Sequence, residues 1–217
     1  MLYGCYRSRA TRPLWVLHET GLPFTLVPVV QANRVPDPVA PDARVNTRTP
    51  SFLAVNPQGQ IPALEDDGLV LTESLAIALH IARKSGPVIG PDGLAEESEA
   101  VNWALVAATA IEPPAVEILY AAMGGKLGTA EGDAALARAA EALARPLSRL
   151  EVHLARRDWL MGGRFTVADI VVAECVRYAQ LHPTLLAGYP AVDAWIRRCE
   201  ARPAFKAMME ARNAEVA

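Results

Sequence analysis

The chain has 217 residues, carries 21 Lys and Arg against 24 Asp and Glu for a formal net charge of −3, and is 52% hydrophobic. This length fits one large or two small globular domains, and we expect two. The nearly neutral balance, with no block of Lys or Arg, argues against a nucleic-acid backbone or an anionic membrane as the main partner.

The cysteines predict a reducing compartment. Cys5, Cys175 and Cys199 are odd in number, far apart and without a CxxC pair, which is typical of a cytoplasmic protein and not of a secreted disulfide framework. The first residues, MLYGCYRSR, lack the basic start and long apolar core of a signal peptide. No run approaches the roughly 18 apolar residues of a membrane span. We therefore expect a cytoplasmic protein without a signal peptide and without a membrane span.

Residues 1–83 predict an α/β domain with the order β-α-β, loop, β-β-α. The segments LYGCY and LPFTLVPVV are short and apolar, as strands are. Between them, ATRPLWVLHETG has a helical period and ends at Gly21. Residues 31–50 contain four prolines without apolar periodicity, which predicts a long irregular loop. Asp67-Gly68 predicts a hairpin, and SLAIALHIARK a helix covered on both faces.

The composition changes at Lys84, where a stretch rich in Gly and Pro begins. We expect a linker over 84–95 and an all-helical domain over 96–217, so the fold class is α/β followed by all-α. Apolar periodicity predicts helices at about 96–123 with a break at the Pro113 pair, 130–157, 167–181 and 192–217. Thr166 and Asp169 fit a capping box at the third of these helices.

Ile61-Pro62 predicts an open backbone edge at the start of a strand. Proline has no N–H to donate to a sheet ladder, so the backbone around it faces outward, and a cis bond would keep this edge open. The N–H and C=O of Ile61 are then placed to pair with an extended peptide as an added strand.

Glu73 and Ser74 open the next predicted helix, with Thr72 as its expected N-cap. The free N–H groups of the first helical turn suit a carboxylate, and the side chain of Glu73 suits an ammonium group. Together with the open edge at Ile61, these residues predict a site for a small peptide that has a free amino-acid end.

The sequence resembles the glutathione transferase family over almost its whole length, apart from the proline-rich loop. NPQGQIPALEDDGLVLTESLAIALHIA resembles the family's glutathione-binding segment, and LYGCYRSRATRPLWVLHETGLPF is similar to its first strand and helix. FTVADI resembles its helix-capping box, and YPAVDAWIRRCEARPAF its closing helices. The resemblance implies a thioredoxin-like N-terminal domain (βαβ, ββα) that holds glutathione, followed by an all-helical C-terminal domain that shapes a pocket for the electrophile.

The resemblance also implies roles for individual residues. Ile61 would pair with the cysteine backbone of glutathione, while Glu73 and Ser74 would hold its γ-glutamyl end. Gln60 and Pro62 belong to the same segment on either side of Ile61, and Gln60 would assist at the edge of the bound glutathione. A basic residue of the loop is expected to meet the glycine carboxylate, and the candidates are Arg34, Arg44 and Arg48.

The group that activates the thiol stays open among several residues of the first loop. Ser8 is our first choice because serine-type members of the family carry a hydroxyl at nearly this place. Arg9 is the second, because a guanidinium beside the sulfur lowers a thiol pKa directly. Tyr3 is a further candidate, and Cys5 would instead support a mixed disulfide with glutathione.

The histidines show no metal-binding spacing, so we expect no metal. The resemblance implies a homodimeric detoxification enzyme that transfers the glutathione thiolate to an electrophilic, fairly apolar small molecule. Neither a nucleic acid nor a membrane is expected as a partner. The alternatives are a glutathione-dependent isomerase, lyase or disulfide reductase, or a binding module that has kept the fold without catalysis.

Overall fold

A computed structural model describes residues 1–215 of the chain. The chain divides into two compact units, one formed by residues 1–85 with those from 203 onward, the other by residues 86–202. This grouping differs from the expected division into 1–83, 84–95 and 96–217. The physical reason is that the last helix packs on the first unit, where the rings of Phe205 and Trp15 meet edge-on with centroids 4.7 Å apart.

The first unit is built on a mixed sheet with the strand order β2-β1-β3-β4, in which β1 and β2 are parallel and the other pairs antiparallel. Its strands and helices, in chain order, are β1 (Leu2–Gly4), α1 (Thr11–Thr20), β2 (Leu26–Pro28), α2 (Pro50–Leu53), β3 (Ala63–Asp66), β4 (Leu69–Leu71) and α3 (Ser74–Lys84). The expected order β-α-β, loop, β-β-α is confirmed, although β1 and β2 are shorter than predicted.

Helix α1 forms the inner layer of this unit and contacts α3 and α9 (Pro203–Ala214). Leu14, Trp15 and Val16 on α1 are completely buried, and burial of such side chains contributes roughly 1.5 to 3 kcal/mol each. The helix ends at Gly21, whose φ of 66° is left-handed and whose N–H donates to the Leu17 carbonyl. Glycine adopts this conformation without a Cβ penalty, so the predicted stop is confirmed.

The loop over residues 31–50 is organised around one buried amide. Asn46 is fully buried, and its Nδ2 donates to the carbonyl oxygens of Pro38 at 3.0 Å and Arg44 at 2.9 Å. Its Oδ1 accepts from the N–H of Arg48 at 2.9 Å. The prolines leave the loop irregular, as predicted, because they cannot donate to regular structure. The amide of Asn46 instead provides hydrogen-bond partners for the backbone groups of this loop.

The second unit is helical throughout, which confirms the predicted class. Its helices are α4 (Gly93–Val106), α5 (Glu112–Met123), α6 (Ala130–Leu154), α7 (Val167–Val176) and α8 (Pro190–Glu200). The break expected at Pro113 is instead a π-helical turn at Ala107–Ile111, which directly precedes α5 and joins it to α4 in one continuous helical stretch. The helix expected over 192–217 is two helices, α8 and α9. Residues 216 and 217 lie outside the described residues.

The capping box predicted for α7 is confirmed. Asp169 is completely buried, and its Oδ2 accepts the N–H of Thr166 at 2.9 Å. Its Oδ1 accepts the N–H of Leu160 at 3.0 Å and the indole Nε1–H of Trp195 on α8 at 2.9 Å. Burial raises the pKa of the Asp169 carboxyl, while these bonds act in the opposite direction. One carboxylate therefore joins α7, α8 and the turn before them.

The stretch Gly93–Met123, which runs from α4 to α5, is the one segment within residues 1–215 that has the length and apolar composition of a membrane span. No such segment was expected, because the chain has no uninterrupted apolar run of this length. Here polar residues are interspersed among many alanines. In its most apolar window, 39% of the residues are buried inside the protein. A core helix of a globular protein passes the same test of length and composition.

Candidate glutathione site

The predicted binding residues gather at one end of the sheet in the first unit. Strand β1 pairs with β3 so that Tyr3 lies opposite Ala63, which brings Gly4, at the end of β1, against Pro62. Gly4 has a φ of 155°, and a Cβ added there would lie 3.1 Å from the Cβ of Ala10. Glycine at this position therefore lets Ala10, at the end of the following loop, pack closely against the end of β1.

The β3–β4 hairpin returns the chain to the same end. Leu64 on β3 pairs with Leu71, the last residue of β4. The residues just before β3, including Ile61, and the start of α3 at Ser74 therefore lie toward the same end of the sheet. Because β4 ends at Leu71, Ile61 lies beyond the last residue pair of the hairpin. Its position fits the expected edge for an extended peptide, and the Ile61–Pro62 bond is cis.

The turn before Ile61 is fixed by Asn56, which is completely buried. The Nδ2 of Asn56 donates to the carbonyl of Gln60 at 2.7 Å, and its Oδ1 accepts the N–H of Gln58 at 3.1 Å. Gly59 has a φ of 62°, and a Cβ there would lie 2.8 Å from the carbonyl oxygen of Thr47. Sequence reasoning missed the supporting roles of Asn56 and Gly59. The signal was available, because Asn and Gly at the two ends of a four-residue stretch, Asn56-Pro57-Gln58-Gly59, are typical of a turn.

Helix α3 begins at Ser74, one residue later than an N-cap at Thr72 would require. The prediction of Thr72 as its N-cap is therefore wrong. The N-cap is Glu73, which has extended backbone angles and whose carbonyl accepts the N–H of Ile77 at 2.9 Å. Glu73 makes no side-chain cap, and its side chain is exposed. Ser74 is 5% exposed. The start of α3 thus presents an exposed carboxylate beside a buried hydroxyl.

A buried arginine stands behind this hydroxyl. Arg12, the second residue of α1, is 2% exposed, and its Nη1 donates to Ser74 Oγ at 2.9 Å. Sequence reasoning did not single out Arg12. The available signal was a charged residue on the buried face of a helix that is otherwise apolar toward the core.

The loop after β1 contains the candidates for thiol activation, of which Ser8 is half-buried and Arg9 exposed. Ser8 Oγ donates to the carbonyl of Cys5 at 2.7 Å and accepts the N–H of Ala10 at 3.1 Å. Ser8 therefore shapes the turn into α1, and its hydroxyl proton is held by a backbone carbonyl.

Tyr3 points its hydroxyl toward β3 and donates to Glu65 Oε2 at 2.5 Å. This hydrogen bond to Glu65 raises the pKa of Tyr3, with burial as a further cause. The phenol therefore has a protein carboxylate as its partner.

Cys5 is buried, and its Sγ lies 3.8 Å from Gln31 Oε1. Burial raises the pKa of the Cys5 thiol, and the negative charge of Glu215 raises it further, while Arg34 acts to lower it. Burial and the charge of Glu215 thus both disfavour the thiolate form of Cys5, which does not favour a redox role.

Glu215 contacts this loop from the C-terminal end of the chain. Its carboxylate oxygens accept the N–H groups of Tyr6 and Arg7, both at 2.9 Å. No sequence pattern links residues that lie 209 and 208 positions apart. The contact places a negative charge beside the candidate activators.

No group of three or more His, Cys, Asp or Glu that would suit a metal ion occurs among residues 1–215. All three cysteines, which lie in this part of the chain, are buried, and none of them forms a disulfide bond. Cys175 and Cys199 are in helices of the second unit, and burial raises the pKa of Cys199 well above its usual value.

The βαβ and ββα halves around one mixed sheet, followed by a helical unit, define a thioredoxin-like domain joined to an all-helical one. Two family models match the chain, "Glutathione S-transferase, N-terminal domain" over residues 6–84 and "Glutathione S-transferase, C-terminal domain" over residues 105–203. The chain belongs to the glutathione S-transferase family.

Relatives support this membership along most of the chain. Glutathione S-transferase 3 from Zea mays is 36% identical over 216 residues, covering 94% of this chain and 90% of the relative. The solved structure of a theta class glutathione S-transferase from Xanthomonas axonopodis pv. citri, with glutathione bound, is 27% identical with a TM-score of 0.76 and covers 95% of this chain and 94% of that one. Elongation factor 1-gamma from Rattus norvegicus is 33% identical over 166 residues, which are 75% of this chain and 37% of that protein.

Proposed function

We propose that this chain, a glutathione transferase by family, binds glutathione at the end of the sheet where β3 and α3 begin. There it transfers the glutathione thiolate to an electrophilic, fairly apolar small molecule, as a cytoplasmic detoxification enzyme. The observation that carries the proposal is the hairpin register, in which Leu64 near the start of β3 pairs with Leu71 at the end of β4, so that Ile61 and the start of α3 lie toward the same end of the sheet. A peptide backbone paired at Ile61 then reaches the start of α3 with its free amino-acid end.

Each part of glutathione has a counterpart of suitable chemistry. The backbone of Ile61 pairs with the cysteinyl residue as an added strand, with Gln60 and Pro62 at the edge. The hydroxyl of Ser74 and the N–H groups of the first turn of α3 receive the γ-glutamyl carboxylate. The exposed carboxylate of Glu73 receives the γ-glutamyl ammonium group.

Ser8 and Arg9 are the groups we propose for thiol activation. A free thiol titrates near 8.5, and a decrease of about 2 pKa units requires roughly 2.7 kcal/mol of preferential stabilisation of the thiolate. One hydrogen bond from Ser8 together with the positive charge of Arg9 is of the right magnitude. Ser8 exchanges the Cys5 carbonyl for the sulfur by rotation of its hydroxyl.

The test is calorimetric titration of the full chain with glutathione, combined with turnover of chlorodinitrobenzene. Binding with turnover supports the proposal, whereas absence of binding overturns it. Ser74→Ala should weaken glutathione binding about tenfold or more, because a hydrogen bond to a charged group contributes roughly 1.5 to 3 kcal/mol. Ser51→Ala, on the exposed face of α2, is the matched control and should bind as the unchanged protein does.

A non-catalytic binding module is the second candidate, favoured by the similarity to elongation factor 1-gamma. Binding of glutathione without turnover of any electrophile would support this alternative. A glutathione-dependent isomerase or lyase shares the same thiolate and differs in its second substrate, so product analysis separates it from a transferase. Cys5 is buried, and burial raises the pKa of its thiol, which does not favour a disulfide reductase.

A further inference from the structure

We propose that the solvent face of α6 is a docking surface for an acidic helical segment of a partner protein. Three arginines, Arg138, Arg145 and Arg149, form this surface, which we call the arginine stripe. The stripe belongs to the second unit, and its role is separate from the proposed function at the glutathione site.

The helical repeat brings together arginines that are separated in the sequence. Residues seven and eleven positions further along an α-helix lie within about 20° of the direction of the first residue, because one turn has 3.6 residues. Arg145 and Arg149 follow Arg138 at these two separations, and all three side chains are exposed. Leu143 and Leu147, which are completely buried, lie on the opposite face of the same helix. The stripe is therefore a continuous positive surface about 16 Å long at 1.5 Å per residue.

The charge of the arginine stripe is not neutralised within the described part of the chain. None of its three guanidinium groups has a carboxylate within 4.0 Å among residues 1–215. Two carboxylates of the same helix have other partners. Glu131 lies 2.5 Å from the Nζ of Lys126, and Glu151 accepts the N–H groups of Ala191 and Val192 at 3.0 Å.

Two further carboxylates come close to the stripe without an ion pair to it. Glu141 is three residues after Arg138 and four before Arg145, a spacing at which ion pairs can form on a helix. Glu117 on α5 lines the same cleft as Arg138. Arg145 and Arg149, in turn, are four residues apart, where like charges repel and destabilise the helix. An anionic partner would relieve this repulsion, which the chain alone leaves in place.

The chemistry of the stripe fits a protein helix that carries carboxylates at the matching spacing. A guanidinium pairs with a carboxylate through two parallel hydrogen bonds. The guanidinium of Arg149 is already oriented, because it lies 5.0 Å over the ring of Trp103. Val152, three residues after Arg149, is 73% exposed and offers an apolar contact to a side chain. The net charge of −3 opposes the long-range attraction of a polyanion such as a nucleic acid.

The experiment measures binding of synthetic peptides to the full chain by fluorescence anisotropy at low salt. The probe is an alanine-based peptide of about 25 residues, long enough to be helical in water, with three glutamates spaced as the arginines are. A second probe has the reverse spacing, so that parallel and antiparallel docking are both covered. The comparison peptide has the same composition with its glutamates on three different faces. One matched peptide should bind about fivefold or more tightly than the comparison peptide, because only its charges meet all three arginines together. Equal binding of the three peptides would overturn the inference.

A charge exchange tests the stripe itself. Arg145→Glu should weaken binding of the matched peptide about tenfold or more, since an attractive pair becomes a repulsive one. A peptide with Lys in place of its central glutamate should then bind this variant more tightly than it binds the unchanged protein. Lys206→Glu is the matched control, because Lys206 is exposed on α9 in the first unit and the change in net charge is the same. An equal loss in both variants would show attraction by net charge alone and would overturn the inference.

Other occupants of the stripe give different results in the same assay. Tighter binding of a uridine oligonucleotide, or of phosphatidylserine vesicles, than of the matched peptides would overturn the inference. A lower sedimentation coefficient of Arg145→Glu than of the unchanged protein would show that a second copy of the chain covers the stripe, which would also overturn it. Glutathione binding, followed by calorimetry, should be the same in Arg145→Glu and the unchanged protein.

Discussion

Ser8 is the single residue on which the proposed chemistry depends most directly. Ser8→Ala should leave glutathione affinity nearly intact, because in the proposed site Ile61, Glu73 and Ser74 carry the binding. It should raise the pKa of the bound thiol and lower the rate at neutral pH roughly 30-fold to 150-fold, which corresponds to ~2 to 3 kcal/mol. The pH–rate profile measures both effects, and activity should partly return in alkali.

Ser51→Ala serves as the control for this measurement, since Ser51 is exposed on α2. Full turnover of Ser8→Ala with an unmoved profile would show that Ser8 is not the activator. Arg9→Ala would then be tested next. Its effect should be more sensitive to salt, because Arg9 is exposed and acts by charge.

Glu215 leads to a second prediction for a single residue. Glu215→Gln keeps one of the two oxygens that accept the N–H groups of Tyr6 and Arg7 and removes the negative charge. Burial and this charge both raise the pKa of Cys5, so the variant should lower that pKa toward its ordinary value. Ultraviolet absorbance of the thiolate, followed against pH, measures the shift.

A background in which Cys175 and Cys199 are replaced by Ala isolates the signal of Cys5. Glu210→Gln is the control, because Glu210 is exposed on α9, the helix that ends just before Glu215. An equal midpoint for Glu215→Gln and the parent protein would mean that Glu215 has no electrostatic influence on Cys5.

Among the larger elements, we expect the loop over residues 31–50 to supply a cation for the glycine carboxylate of glutathione. Arg34 is the favoured residue, because its charge acts on Cys5 in the loop that follows β1. Arg34→Ala should weaken glutathione binding by roughly 1.5 to 3 kcal/mol if a charge-assisted bond is lost. Calorimetry on the single variants at Arg34, Arg44 and Arg48 measures this. Unchanged affinity in all three would remove the loop from the site.

Helix α7 depends on Asp169 for its connection to the rest of the second unit. Asp169→Ala should leave the buried N–H donors of Leu160, Thr166 and Trp195 without their acceptor. Each unsatisfied donor costs about 1 to 3 kcal/mol, so the free energy of unfolding should fall by about 3 kcal/mol or more. Denaturant unfolding followed by tryptophan fluorescence measures the loss.

The matched control for Asp169 is Asp158→Ala, in which the side chain is 82% exposed and 3.9 Å from Arg198. An exposed ion pair of this kind contributes about 0 to 1 kcal/mol. Similar losses for the two variants would contradict the role assigned to the buried carboxylate.

For the whole molecule, we predict a homodimer with about twice the chain mass of 23.3 kDa. Strand β4 is at the edge of the sheet and exposes Leu69 at 43% and Val70 at 45%, and α4 exposes Leu105 at 57%. Exposed apolar side chains on an edge strand are typical of association surfaces. Val70→Asp should shift the sedimentation coefficient toward that of the monomer.

Val39→Asp is the control for the dimer, because Val39 is 74% exposed in the loop over residues 31–50. It should sediment as the unchanged protein does. A particle of one chain mass for the unchanged protein at micromolar concentration would contradict the prediction.

The sequence by itself determined the features that depend on near neighbours. The hairpin at Asp67-Gly68, the stop at Gly21 and the capping box at Asp169 follow from turn and cap chemistry within a few residues. Helix α3 has the bounds of its apolar pattern, and the residues predicted to bind glutathione from Gln60 to Ser74 lie on one continuous stretch of chain. Local signals of this kind are complete in the sequence, because the interacting groups are adjacent along the chain.

Only the tertiary structure decided the features that depend on distant partners. Arg12 is placed behind Ser74 by the packing of α1 on α3, and Glu215 reaches Tyr6 after 209 residues of chain. Helix α9 joins the first unit because its Phe205 packs on Trp15. Burial and charge at these positions arise when the chain folds, since no local pattern specifies which distant groups will exclude water together.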